Sequence, residues 1–376
     1  MLDGPSARGL GCTGAMPSLF ARARRRAATP SIRAAARAAG LALAGALAAC
    51  STQYPNPFAN SNQMAAPPAA AKIVFTANIY AAKPGGGHDL FAMEDTGAGL
   101  TRLTFCNNDS RACEYLEAVP GPARERQAVR RLIDTDGDGK LTSADGESLR
   151  ILDLARAVEG ELVPGNAHVS GADWSPGEEV LFYSASGPGG TDDLYQITSN
   201  AQSNQNLTTT PAVRERRPRF NLSGTALAFE HIEAGGRGQI WLATSLGLRP
   251  LTTGADTQGD ALAGTPYVVG SDADPVFSPD GRVVAFRRLG ATGNGGLGVW
   301  DLLTIRTDTT GAVAGVIATG PAYRGAPDWA AGGILFVERV AGGTSQVVLV
   351  DETGGNRRVL LTAGAGFDVA FPHWLK

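Results

Sequence analysis

The sequence predicts an all-β chain folded as a six-bladed β-propeller, closed by pairing of its C-terminal strand with the first blade. Three observations predict it. A hairpin-sized segment recurs and superimposes on itself without gaps, its aromatic heads recur at the spacing of a four-stranded blade, and the two chain ends hold complementary halves of one more copy.

The first segment reads as an address. Arg22, Arg24, Arg25, Arg26, Arg33 and Arg37 precede an uncharged Ala/Leu/Gly run over residues 38–49, the layout of a secretory signal. Its twelve residues fall short of the roughly 20 that a spanning helix needs. Leu47-Ala48-Ala49-Cys50 resembles a bacterial lipobox, which implies cleavage before Cys50 and a lipid on its thiol. Residues 50–71 are rich in Ser, Asn, Gln, Pro and Ala without an apolar period, a composition that predicts a flexible tether. Ser51 after the cysteine favours the outer membrane, facing the periplasm, by the same resemblance. The domain proper then spans 72–376, carrying an insertion at 134–145.

Within that domain, Asp173-Trp174-Ser175-Pro176 leads to Val180–Tyr183, Arg219-Phe220-Asn221-Leu222 to Ala226–Phe229, and Val276-Phe277-Ser278-Pro279-Asp280-Gly281 to Val283–Phe286. In each an aromatic ends one strand, a turn follows, and an apolar run starts six residues later. Asp328-Trp329 repeats the pattern with a turn one residue shorter, and Val119–Pro122 leading to Gln127–Val129 is a worn copy. Lys72–Thr76 lacks a head and Phe371–Trp374 is a head without a body, so joining them closes a ring. Heads at 174, 220, 277, 329 and 374 lie 46, 57, 52 and 45 residues apart. Third strands are predicted at Asp89–Met93, Leu149–Leu154, Asp193–Ile197, Gln239–Ala243, Leu297–Asp301 and Gln346–Val350, with outer strands at Leu100–Thr104, Leu248–Thr252 and Arg358–Thr362.

Charge narrows the partners. Residues 1–49 hold seven arginines and one aspartate, which leaves the remainder at net −9. Nucleic-acid binding depends on clustered Lys and Arg, and this balance opposes it. Cys106 and Cys113 are the two cysteines left in the folded part. In an oxidising compartment they predict a short disulfide loop.

Asp134-Thr135-Asp136-Gly137-Asp138-Gly139-Lys140-Leu141-Thr142 continues to Asp145. Asp134, Asp136 and Asp138 occupy positions 1, 3 and 5 of an EF-hand-type loop, Lys140 offers its carbonyl at 7, Thr142 stands at 9 and Asp145 at 12. Three carboxylates within five residues repel unless a hard dication compensates, which points to Ca2+. Asp145 in place of Glu resembles dockerin-type loops. No flanking helices are evident, so a structural calcium clip is expected rather than a sensor.

The Phe-Ser-Pro-Asp-Gly head at 277–281 with Val-Val-Ala-Phe behind it, and the turns at Asp95 and Glu352, resemble the TolB-like propeller repeat. The resemblance covers nearly all of 72–376 and implies the propeller. TolB proper carries a separate α/β domain before its propeller; here a tether stands in that place, and roles depending on that domain do not transfer. No Gly-x-Ser-x-Gly elbow occurs. His88, His168, His231 and His373 lie in different repeats without metal-ligand spacing. Asp173, Asp274 and Asp328 recur near the heads, and a repeating residue usually serves the repeat.

These readings predict a non-catalytic cell-envelope lipoprotein that binds protein, peptide or glycan partners through propeller loops. The alternative is a propeller lyase or hydrolase with a dispersed site at the channel mouth. Acidic, His and aromatic side chains gathered at that mouth would favour the enzyme.

Overall fold

A computed structural model describes residues 64–79, 87–105, 113–134, 136–138, 141–142, 145–164, 168–177, 179–186, 190–254, 259–340 and 342–376. Among them, 24 strands form six four-stranded antiparallel sheets, each one blade. The first blade combines the C-terminal β24 (Val369–Trp374) with β1 (Ile73–Ala77), β2 (Asp89–Met93) and β3 (Thr101–Arg102). The second is β4 (Cys113–Pro120), β5 (Arg126–Ile133), β6 (Gly146–Asp153) and β7 (Val158–Val163). The third is β8 (Gly171–Trp174), β9 (Val180–Ser186), β10 (Asp192–Thr198) and β11 (Asn204–Asn206). The fourth is β12 (Arg214–Phe220), β13 (Ala226–Ile232), β14 (Gly238–Thr244) and β15 (Gly247–Pro250). The fifth is β16 (Asp272–Phe277), β17 (Val283–Ala291), β18 (Val299–Arg306) and β19 (Val313–Ala318). The sixth is β20 (Ala322–Ala330), β21 (Gly333–Val340), β22 (Ser345–Val350) and β23 (Arg358–Thr362).

Each predicted aromatic head ends an innermost strand or lies at its last residues, and each apolar run after the turn is the second strand. These second and third strands are the most apolar in the chain because both their faces are covered by neighbouring blades. Phe75 and Phe91 of the first blade stack at 5.7 Å. They pack against Leu335, Val347 and Leu349 of the sixth. Burial of each such side chain contributes about 1.5–3 kcal/mol relative to exposure, so the core is a ring of inter-blade layers.

The innermost strands share a kink. Arg217, Asp274, Ala326 and Phe371 sit at φ between 47° and 50°, and each is followed by a proline: Pro218, Pro275, Pro327 and Pro372. The ladder shifts register at these places, between Arg216 and Arg219, Ala273 and Val276, and Gly325 and Asp328. A fourth shift, between Val74 and Thr76, lies opposite the kink of β24. A proline donates no ladder hydrogen bond and is tolerated at a bulge. The left-handed conformation of the preceding residue costs on the order of 1–3 kcal/mol.

Ring closure follows the split repeat. β24 pairs antiparallel with β1, Ile73 opposite Trp374 and Ala77 opposite Val369. The Leu375 amide donates to the Lys72 carbonyl at 2.8 Å, and the Trp374 indole N–H donates to the Gly333 carbonyl at 3.0 Å. The shortened turn of the sixth blade makes room for that indole: a Cβ on Gly332 would lie 2.5 Å from the Trp374 ring. Residues 64–71, the end of the predicted tether, lie against the propeller. The Ala65 amide donates to the Leu103 carbonyl at 2.9 Å, and Arg124 donates to the carbonyls of Pro68 and Ala71 at 2.6 and 2.5 Å.

Antiparallel alternation makes the two ends of the ring unequal. Turns from innermost to second strands are short, such as 221–225, 278–282 and 331–332. The opposite end carries the longer connections, including 78–88, 134–145 and 251–271.

Candidate functional site

The six innermost strands converge on a central channel, and its charged side chains come from blades far apart in sequence. Glu117 on β4 is 1% exposed. It meets Arg219 at 3.0 Å, Arg130 at 3.2 Å and Arg217 at 3.6 Å. Burial alone would raise its carboxyl pKa; Arg217, His373, Arg219 and Arg130 outweigh burial and hold it well below the usual range. Arg217 also meets Asp274 at 2.9 Å, and Arg287 meets the other Asp274 oxygen at 2.6 Å. Burial opposes ionisation of Asp274, and these guanidiniums, Arg287 first, bring its pKa below the ordinary value.

Toward the long-loop end, Tyr267 from the 251–271 connection donates to Glu230 Oε2 at 2.7 Å, and the Asp274 amide donates to Glu230 Oε1 at 2.7 Å. Burial, then the charge of Asp274, raises the Glu230 pKa. The Tyr267 phenol is likewise pushed up, by burial and by Glu230. Trp300 completes this region, edge-on to Tyr267 and 3.9 Å beneath the Arg287 guanidinium. The channel is therefore occupied by ion pairs and rings from several blades, each charge compensated by a neighbour.

At the short-turn end a cavity of about 50 Å³ remains, lined by Asp173, Arg219, Asp328 and His373 beneath Phe220, Phe277, Trp329 and Trp374. Acidic, His and aromatic groups thus gather at this mouth, the pattern expected of a dispersed catalytic site. Two of its carboxylates also bond between blades. Asp173 accepts the Phe220 amide of the next blade at 2.8 Å, and Asp328 accepts the Trp374 amide of the next blade at 2.7 Å. Both carboxylates act as clips between consecutive heads, the structural role expected for a repeating residue. Asp274 differs: it stands three residues before its head rather than next to it and belongs to the ion-pair cluster. The cavity is also far below the 300–1,000 Å³ typical of small-molecule sites.

The acidic loop joins β5 to β6. Asp134, Asp136 and Asp138 offer carboxylate oxygens that all lie within 4.8 Å of one another, a cluster able to hold a metal ion. Asp134 is buried while Asp136 and Asp138 are exposed. The Gly137 amide donates to Asp134 at 2.7 Å and the Asp138 amide to Asp136 at 3.0 Å. Asp145, 4% exposed, accepts from the amide and hydroxyl of Thr142 at 2.7 and 3.2 Å. Lys140 lies outside the described residues.

Cys113 is disulfide-bonded and buried. Its predicted partner Cys106 lies outside the described residues, as do Cys50, the predicted signal at 1–49 and the tether up to residue 63. The histidines have separate fates. His88 pairs with Glu114, His168 is exposed, His231 stacks on Trp241 at 4.3 Å, and His373 is buried in the channel.

Glu117, Arg217, Arg219, Glu230 and Arg287 escaped the sequence reading. Glu117 and Arg219 are 102 residues apart, so no local spacing connects them. One signal was present: a proline two residues before the head in four repeats, which marks the kink bringing Arg217 and Asp274 together.

No protein-family model matches the sequence, and no curated protein does. Solved structures do share the fold. A TolB from Acinetobacter baumannii is 16% identical over 81% of this chain and 66% of that one, with a TM-score of 0.58. A TolB-type structure from Agrobacterium tumefaciens is 15% identical over 81% and 99% of the two chains, at 0.51. A chain of a nidogen/laminin complex is 9% identical over 81% and 98%, at 0.54. The chain covers just under two thirds of the Acinetobacter protein, and at these identities the likeness is one of fold.

Proposed function

We propose that this protein is a non-catalytic lipoprotein of the bacterial envelope, anchored through Cys50, whose propeller binds protein, peptide or glycan partners at its long-loop end. One observation carries the reading: the carboxylates at the short-turn mouth are already bonded within the ring, above a cavity of about 50 Å³. The titratable groups of the channel hold blades together and leave little room for a substrate. The longer connections at the opposite end offer the more variable surface, where recognition is ordinarily built on a rigid scaffold.

Calcium held by Asp134, Asp136 and Asp138, with the Lys140 carbonyl, Thr142 and Asp145 completing the set, would brace one of those loops. The acidic balance of the chain argues against nucleic acid as partner. The enzyme alternative draws on the Asp173, Asp328 and His373 grouping, and the hydrogen bonds of the two aspartates weigh against it.

Photo-crosslinking residues placed at Thr265 and Leu297, on the long-loop end, and at Leu222 and Asp280, on the short-turn end, test this reading in membranes bearing the anchored protein. Envelope adducts are expected from the first pair. Adducts confined to the second pair, or turnover of envelope glycans by the purified protein, would overturn it.

A further inference from the structure

The ring is closed by one strand, and a single titratable side chain of that strand faces carboxylates from two other blades. His373 on β24 is 2% exposed. Its Nε2 lies 3.8 Å from Glu117 Oε1 of the second blade, and its Nδ1 lies 3.7 Å from Asp328 Oδ2 of the sixth. Glu117 has three arginines besides. Among the ion pairs of the described residues, Asp328 has His373 alone. The imidazole is thus the cationic group within 4 Å of Asp328, and the Arg219 charge acts on the same carboxylate from farther away.

We propose that His373 is a proton-operated latch on the ring seam: as an imidazolium it binds the closing strand to the second and sixth blades, and deprotonation loosens that strand.

The surroundings support a charged imidazole. Burial would lower the His373 pKa, but Asp328 and Glu117 outweigh it and raise it above the ordinary 6.5, with Arg219 opposing. On the other elements near β24, Glu114 of β4 pairs with His88 and Arg324 of β20 with Glu338. Arg217 of β12 lies 5.1 Å over the Phe371 ring and adds a positive charge beside the strand. β1 and β22 carry no ionisable side chain, and on β21 Glu338 pairs with Arg324 while Arg339 lies 3.8 Å from Asp368. A raised folded-state pKa fixes the sign: the stabilisation is complete below the unfolded-state value and is lost as pH rises through the folded-state value. A lowered Asp328 pKa sets the other limit, because its contribution disappears as pH falls through that value. The seam is tightest between the two.

Imidazole C–H resonances of the full chain, with His373 identified by its loss in His373→Gln, give the test. The wild-type His373 signal should titrate above 6.5, and Asp328→Asn should bring it down. Hydrogen exchange, corrected for the intrinsic pH dependence, should show protection of β1 and β24 amides falling across that titration. The fall should approach tenfold for each pH unit by which the folded-state pKa exceeds the unfolded one, with β9 and β10 unaffected. In His373→Gln that pH dependence should vanish; if the variant does not fold, the wild-type measurements decide alone. Titration at or below 6.5, an unmoved signal in Asp328→Asn, or equal loss of protection in the seam and the third blade would overturn the latch.

Discussion

At the scale of single residues, aspartates that look alike in the sequence do three different jobs. Asp173 and Asp328 accept backbone amides of neighbouring heads, Asp274 is bound by two arginines, and Asp134, Asp136 and Asp138 face one another in a loop. The third grouping was legible because its three carboxylates fall within five residues. The second was not, because the arginines come from other blades. The loop yields a direct expectation. A ligand that binds only the folded state stabilises it by about 2.7 kcal/mol at a hundredfold excess over its dissociation constant. Calcium should therefore raise the melting temperature, and magnesium, which surrenders its water reluctantly, should do less. Asp136→Ala combined with Asp138→Ala should abolish the calcium effect and leave the propeller folded. Identical melting in calcium and chelator, with no binding heat at millimolar calcium, would leave the loop a solvated acidic turn.

At the scale of elements, the second and third strands could be read because their apolar residues pack between blades, whereas the innermost strands could be read only at their aromatic ends. β12 has the sequence Arg-Glu-Arg-Arg-Pro-Arg-Phe, with four arginines and a proline. By composition that argues against a strand. It is one because Arg217 and Arg219 are compensated across the channel, Arg216 pairs with Asp192 of the third blade, Arg214 faces solvent, and the proline follows a bulge. The kink itself makes a prediction. Ala326 holds φ at 49° without a side chain that makes polar contacts. The left-handed conformation costs an alanine roughly 1–2 kcal/mol, while glycine pays about 0.5–1 kcal/mol in chain entropy. Ala326→Gly should thus stabilise the fold by a few tenths to about 1 kcal/mol, read as a higher denaturation midpoint at unchanged slope. A lower midpoint would mean that the buried methyl contributes more than the strain costs.

At the scale of the whole molecule, the ring was visible because the two chain ends hold different halves of one blade, and only closure gives each half a partner. The closing strand supplies more than backbone pairing. Trp374 sits over Gly332 and donates to Gly333, Leu375 is bonded to Lys72, and the strand carries His373. Deleting Phe371–Lys376 removes all of these and uncovers Ile73, Val74 and Phe75, each 0% exposed in the closed ring. An uncovered apolar edge with free amides and carbonyls is a template for pairing with another chain. The truncated protein should melt earlier and form larger assemblies as concentration rises. A synthetic peptide spanning Asp368–Lys376 should restore a monodisperse species by adding the missing strand, and a scrambled peptide of the same composition should not. Recovery by the native order alone would assign the defect to the seam rather than to general loss of apolar contacts. A truncation that remains monodisperse and melts like the full chain would show that the other five blades hold the ring without its closing strand.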